Sequence, residues 1–252
     1  MILALDLGNT SLSAGVFTDG RFVSRFKVPV GDFTMLADRL QRELGEKDCR
    51  RIATAALASV NPPFAYDVEA AVPEVLPVAH FILLGRDLAI PVRARVDHPE
   101  QVGADRLLAT LAAFRRVRGA CLVVDLGTAI TVDAVSAKGE FLGGVIAPGL
   151  RISAEALHSR TALLPEVSPE PVKRVIGKNT VRCIQSGLYF GAIAMVEGLV
   201  KRARKERRGV KKVLATGGDA ELIASRCSGI DEIVPDLVLE GIVHALKEDR
   251  RP

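Results

Sequence analysis

Two short stretches place an aspartate at the end of an apolar run and follow it with leucine and glycine. They are Asp6-Leu7-Gly8 in ILALDLGNTSLSAGVF and Asp125-Leu126-Gly127 in CLVVDLGTAITVDAV. An ionised carboxylate ending a buried strand is costly unless a cation meets it there. Glycine shortly after it lets the backbone turn and approach a ligand closely. Asn9, Thr10 and Ser11 add amide and hydroxyl groups beside the backbone N–H donors of the first stretch. Together they suit a hairpin that grips phosphate oxygens while Asp6 holds a hydrated Mg²⁺. The competing reading is an Asx-type turn in an ordinary hairpin. It accounts for one copy and gives no reason for two. A third stretch, VLATGGDAELI, runs from a strand through Gly217-Gly218 into a helix. Such a turn lays a flat or anionic group against backbone at a helix N-terminus, with Asp219 as the expected N-cap. The chain contains neither G-x-x-x-x-G-K-[ST] nor G-x-G-x-x-G, so its phosphate chemistry is not that of a Walker loop or a dinucleotide fingerprint.

The elements that must position these residues alternate between strand and helix patterns. Strands are expected at Ile2–Leu7, Leu12–Phe17, Arg21–Lys27, Ile52–Val60 and His80–Leu84, with helices at Phe33–Leu44, Tyr66–Val72 and Ala104–Val117. The opening pattern then restarts. Strands are expected at Leu122–Leu126, Ile130–Val135 and Phe141–Ile146, followed by helices at Ser153–His158 and Val181–Arg207. A strand at Val213–Ala215, a helix at Asp219–Arg226, a strand at Ile233–Val234 and a helix at Leu237–Lys247 complete the chain. At a constant offset of 119, Asp6 falls on Asp125, Gly8 on Gly127, Gly20 on Gly139 and Phe22 on Phe141. A period of about half the chain is too long for a solenoid. It fits two similar α/β domains facing each other, 1–118 and 119–252, with a ligand site in the cleft between them.

Composition narrows the class. The chain has 252 residues, 48% of them hydrophobic and none of them Trp, so aliphatic side chains build a large core. The net charge of +4 is compatible with anionic ligands and equally with an ordinary cytoplasmic protein. Cys49, Cys121, Cys183 and Cys227 include no C-x-x-C spacing, and His80, His98, His158 and His244 form no ligand pattern. Reduced structural thiols and no zinc are expected. No signal peptide and no membrane span is expected. The basic run Lys201–Lys212 has no interleaved aromatic residue and no helix-turn-helix context. It reads as the solvated end of a helix, and no nucleic-acid partner is expected.

Phosphate hairpin, second D-L-G hairpin and late glycine pair stand in the order found in the actin-like ATPase and sugar-kinase superfamily. The ordered set goes further: Asp6-Leu7-Gly8-Asn9-Thr10, Gly103-Ala104-Asp105-Arg106, Asp125-Leu126-Gly127-Thr128-Ala129, Gly143 through Gly149, Thr161-Ala162-Leu163-Leu164-Pro165, Gly177-Lys178-Asn179-Thr180 and Thr216-Gly217-Gly218. Along essentially the whole chain this series resembles type III pantothenate kinase. The resemblance implies duplicated actin-like (ribonuclease H-like) α/β domains facing an interdomain cleft. It implies a cytoplasmic enzyme that phosphorylates pantothenate to 4'-phosphopantothenate with ATP and Mg²⁺, as the first step towards coenzyme A. It implies a homodimer that requires K⁺ or NH₄⁺. By the same resemblance, Asp6, Leu7, Gly8, Asn9, Thr10, Ser11, Leu12 and Ser13 bind ATP, as does Thr128. Gly103, Ala104, Asp105 and Arg106 bind pantothenate, Asp105 is the general base, Thr180 contacts substrate, and Asp125 takes the monovalent cation. One position departs from the family: a Tyr seven residues before the G-A-D-R glycine is replaced by Val96, and that pocket contact is not carried over.

The residues themselves are compatible with these roles. A primary alcohol attacking a phosphoryl group must lose a proton, and an aspartate at a helix start can accept it if it faces the ligand. Arg106 offers charge to a carboxylate or phosphoryl oxygen. Without the resemblance, Asp105 and Arg106 read as a first-turn acid and a surface ion pair, and Thr180 as a helix cap. On residue chemistry alone Asp125 suits Mg²⁺ as well as a monovalent ion. Two alternatives have other consequences: a kinase of the same superfamily acting on a sugar alcohol, and a non-catalytic regulatory accessory protein.

Overall fold

The computed structural model describes residues 1–30, 38, 39, 42, 45, 49–76 and 80–249. The chain divides into two compact units, Met1–Ala112 with Asp236–Pro252, and Ala113–Pro235.

In the first unit, β1 (Ile2–Leu7), β2 (Ser11–Thr18), β3 (Arg21–Pro29), β4 (Thr54–Ser59) and β5 (His80–Leu83) form a sheet in the order β3-β2-β1-β4-β5. The β1–β2–β3 pairs are antiparallel, and β1–β4 and β4–β5 are parallel. Strict alternation gives the sheet two different faces. Leu3, Leu5, Leu7, Leu12, Ala14, Val16, Ala55 and Leu57 belong to one core, which includes Ala65, Val68 and Val72 of α1 (Pro62–Val75). The opposite face carries a row of the smallest residues, since Ala4 pairs with Gly15 on one side and Ala56 on the other. That row lets α6 (Leu237–Asp249) lie close; a Cβ on Gly15 would stand 3.0 Å from Leu239 Cδ1. This packing draws the last helix into the first unit, although it follows the second in sequence.

The second unit repeats the plan. β6 (Cys121–Leu126), β7 (Ala129–Val135), β8 (Phe141–Pro148), β9 (Lys212–Thr216) and β10 (Glu232–Ile233) run in the order β10-β9-β6-β7-β8. Here β6–β7–β8 are antiparallel, and β6–β9 and β9–β10 are parallel. Strand for strand this is the first sheet again, so the repeat found at Asp6 and Asp125 is a repeat of topology. Leu122, Val124, Leu126, Ile130, Val132, Val213 and Ala215 share a core with Leu150 and Ala154 of α3 (Leu150–Ser159). The same core takes Ile184, Leu188, Ala192, Val196 and Val200 from α4 (Thr180–Glu206). By length and composition α4 could cross a membrane. Its apolar stripe at helical spacing is packed on the sheet, which is where a core helix puts it.

Most expected elements are present with shifted ends. The helix expected from Tyr66 begins at Pro62, because Pro62 and Pro63 fill the first-turn positions where a missing N–H costs nothing. The helix expected from Ser153 begins at Leu150, directly after Gly149. The helix expected over Asp219–Arg226 is a four-residue α5 (Ala220–Ile223) continued by a 3₁₀ turn. The helix expected at Phe33–Leu44 lies largely outside the described residues.

Candidate active site

In the first unit, Asp6 stands at the C-terminal end of β1, on the face that carries Ala4, and pairs with Ser13 and Ala58. Small neighbours on both sides leave its carboxylate half-buried rather than sealed. Leu7 and Leu12 anchor the hairpin in the core. Between them the Gly8 N–H donates to the Ser11 carbonyl at 3.0 Å, so the tip is a tight turn with Asn9 and Thr10 exposed.

Asp105 stands in the first turn of α2 (Ala104–Val117). Its Oδ1 accepts the Arg106 backbone N–H at 2.8 Å, which turns the carboxylate back over the start of its own helix. There it lies on Gly103: a Cβ on that glycine would come 2.4 Å from Asp105 Oδ1 and 3.4 Å from Val60 Cγ1. Val60 follows β4, and its N–H donates to the Leu7 carbonyl at 3.2 Å. The first unit thus gathers Asp105 and the root of the Asp6 hairpin at the same end of its sheet. Burial pushes the Asp105 carboxyl above its ordinary value of 3.8, against the opposing pull of the Arg106 N–H and the Arg106 charge. Proton affinity raised by desolvation is what a general base working near neutrality requires.

Helix α2 is itself held by a close crossing. A Cβ on Gly241 of α6 would stand 2.2 Å from the Leu108 carbonyl oxygen, so the two helices meet backbone to backbone. Arg106 is half-buried in the first turn of α2.

In the second unit, Asp125 ends β6 one residue before its C-terminus, pairing with Thr131 on β7 and Thr216 on β9. The Gly127 N–H donates to the Ala129 carbonyl at 3.0 Å, the counterpart of the Gly8 turn. Three glycines fit around this hairpin. A Cβ on Gly217 would stand 2.4 Å from Asp125 Oδ1, and one on Gly127 would stand 3.5 Å from it. A Cβ on Gly149 would stand 2.4 Å from the carbonyl oxygens of Gly127 and Thr128. Gly217 is also in the left-handed region at φ 98°, so its conformation and its contact both require glycine. The half-buried Thr128 lies in this hairpin, its carbonyl accepting the Gly149 N–H at 3.1 Å.

Thr180 is exposed in the first turn of α4. It is not the cap: Asn179 is, its side-chain oxygen accepting the Arg182 N–H at 2.9 Å. Asp219 occupies the N-cap position of α5 without a side-chain capping bond, while its N–H donates to the Leu126 carbonyl at 2.8 Å. The second glycine turn is therefore tied to the end of β6.

Sequence reasoning missed the contact of Gly217 with Asp125, the Gly241 crossing and the buried Asp133, whose Oδ1 would lie 2.3 Å from a Cβ on Gly144. It also missed Thr131. That position was legible, because a hairpin turning at Gly127 pairs residue 125 with residue 131.

The model of the family described as type III pantothenate kinase matches residues 2–202. The chain is 38% identical to the type III pantothenate kinase of Koribacter versatilis, over 96% of this chain and 93% of that one. It is also 38% identical to the type III pantothenate kinase of Persephonella marina, over 96% of each. Among solved structures it resembles a conserved Campylobacter jejuni chain described as a Baf family transcriptional activator. That likeness has a TM-score of 0.62 and 19% identity over 98% of each chain, and at that identity it concerns the fold alone. The duplicated α/β architecture is that of the actin-like ATPase and sugar-kinase folds.

Proposed function

The chain belongs to the type III pantothenate kinase family, and from that premise we propose how its residues divide the work. The activity is ATP-dependent phosphorylation of pantothenate, which supplies coenzyme A biosynthesis. The observation that carries the assignment of roles is Asp105 lodged on Gly103, with its carboxyl raised by burial.

Phosphoryl transfer asks the protein mainly for positioning and charge neutralisation. Asp105 accepts the proton of the pantothenate hydroxyl as that oxygen attacks the terminal phosphoryl group of ATP. Gly103, Ala104 and Arg106 line the alcohol side, with Arg106 supplying positive charge. The hairpin from Asp6 to Ser13 holds ATP through its turn N–H groups and the hydroxyls of Thr10, Ser11 and Ser13. Asp6, beside Ser13 and Ala58 in the strand register, is the acid that would hold a hydrated Mg²⁺, which would neutralise phosphate charge when bound. Thr128 contacts ATP from the second hairpin, Thr180 contacts pantothenate, and Asp125 is the acid of a K⁺ or NH₄⁺ site. We retain the division into residues 1–118 and 119–252 as the two evolutionary repeats, with the final helix packed on the first.

The enzyme is a homodimer in this reading. Supporting it, most of the exposed large hydrophobic residues among the described ones lie in one stretch of the second unit, from Val145 and Ile146 on the edge strand β8 to Ile176 and Val181. Leu163 is 91% exposed and Ile176 80%. Exposed apolar side chains in this number favour burial against a partner. Free thiols and the use of ATP support a cytoplasmic location.

A coupled ADP-release assay with ATP, Mg²⁺ and KCl tests the reading. ADP release dependent on pantothenate is expected. Turnover on glucose with none on pantothenate would overturn it in favour of a sugar kinase.

A further inference from the structure

We propose that Thr131 is an oxygen ligand of the monovalent cation assigned to Asp125, and that it helps make the position selective for a monovalent over a divalent ion. The proposal rests on the reading of Asp125 as the acid of that site. Residues directly opposite in an antiparallel pair project from the same face with their Cβ atoms roughly 5 Å apart. Asp125 and Thr131 are such a pair. On the other side of Asp125 the parallel register brings Thr216. Three oxygen-bearing side chains thus form one row across β9, β6 and β7.

Two of the three have their orientation accounted for. Thr216 Oγ1 donates to the Pro235 carbonyl at 3.4 Å, which leaves its lone pairs for another group. Asp125 Oδ1 is bracketed by Gly127 and Gly217. Thr131 is different: its Oγ1 is buried and makes no hydrogen bond. A buried hydroxyl without a partner is a cost that valine, of the same shape, would avoid. A cation beside Asp125 would use that oxygen.

The charge count decides which cation. One carboxylate with two neutral hydroxyls is a low-charge donor set. Divalent ions are held by more carboxylate charge or by bound phosphates, whereas K⁺ is held by neutral oxygen dipoles. The other acids that the register puts on this sheet face are engaged elsewhere: Asp133 is lodged against Gly144, and Glu232 pairs with Arg116 and Lys212. No group of three or more His, Cys, Asp and Glu able to hold a metal ion occurs among the described residues.

The test follows thermal stability in KCl, against choline chloride at equal ionic strength, together with the KCl dependence of ADP release. Wild type and Thr110→Val are expected to gain melting temperature with KCl. Thr110 is the control because its Oγ1 is also buried without a partner, but on α2 of the first unit. Thr131→Val is expected to lose most of the KCl-dependent gain and to need roughly 10-fold more K⁺ for half-maximal rate. Thr131→Ser, which keeps the oxygen, is expected to behave as wild type even if the valine variant folds poorly. An unchanged KCl response in Thr131→Val, with the response lost in Asp125→Asn, overturns the role of Thr131 alone. A response that survives in Asp125→Asn overturns the cation reading of Asp125 itself.

Discussion

Asp105 stands under two influences that oppose each other, its burial and the Arg106 N–H. Its burial disfavours the carboxylate, and the Arg106 N–H partly restores it. A carboxyl whose folded pKa lies above its unfolded value stabilises the fold below the unfolded pKa. That contribution is lost as the pH rises through the folded pKa. Asp105→Asn removes the loss. The variant is expected to match wild type in melting temperature well below pH 4 and to equal or exceed it at pH 7. Its kcat should fall by roughly 10²–10⁴. A variant that retains wild-type kcat would remove Asp105 as the base. Thermal melts across pH and steady-state kinetics on one preparation separate the two effects. The residue pattern G-A-D-R was visible in the sequence, but the reason for its glycine was not. A Cβ at position 103 would displace the Asp105 carboxylate from the place it occupies.

Helices place the acids as much as the strands do. The start of α2 is fixed by the crossing of Gly241 against Leu108, and α6 in turn lies on the row Ala4, Gly15 and Ala56. A methyl group at Gly241 has backbone on its far side, so neither partner can yield by changing a rotamer. Gly241→Ala is expected to destabilise the protein by about 1–3 kcal/mol, the usual cost of overpacking. The same variant should lower kcat/KM by shifting Asp105. Denaturant unfolding and kinetics would check both, and an unchanged unfolding midpoint would refute the close crossing. Element types were legible where the period was long or the alternation strict, as in α4 and β1. Boundaries moved where local chemistry intervened, at Pro62 and at Gly149.

Two sheets with the same strand order carry an acid at the same end of the same strand, Asp6 on β1 and Asp125 on β6. Each acid leads into a hairpin, the second one residue shorter than the first, and the surroundings differ. Asp6 has Ser13 and Ala58 beside it, Asp125 has Thr131 and Thr216. At this scale the exposed apolar residues of the second unit carry the prediction about assembly. Ile146→Glu combined with Ile176→Glu is expected to convert the proposed dimer to monomer, measured by light scattering during size-exclusion chromatography. Both side chains are more than half exposed, so the changes should leave the fold of the unit intact. A wild-type protein that elutes as a monomer would refute the dimer.

The sequence by itself determined the repeat, the two acid-ended strands and the family, because strand alternation and an ordered set of short motifs are properties of the chain. Only the tertiary structure decided which residues hold those acids in place. Gly217 meets Asp125 from more than 90 positions away, Gly241 meets Leu108 across two helices, and the last helix returns to the first sheet. Each of these is a close approach of backbone between segments distant in sequence. Spacing does not encode such an approach, since a glycine written in a turn and a glycine pressed against a neighbour look alike until the neighbour is known.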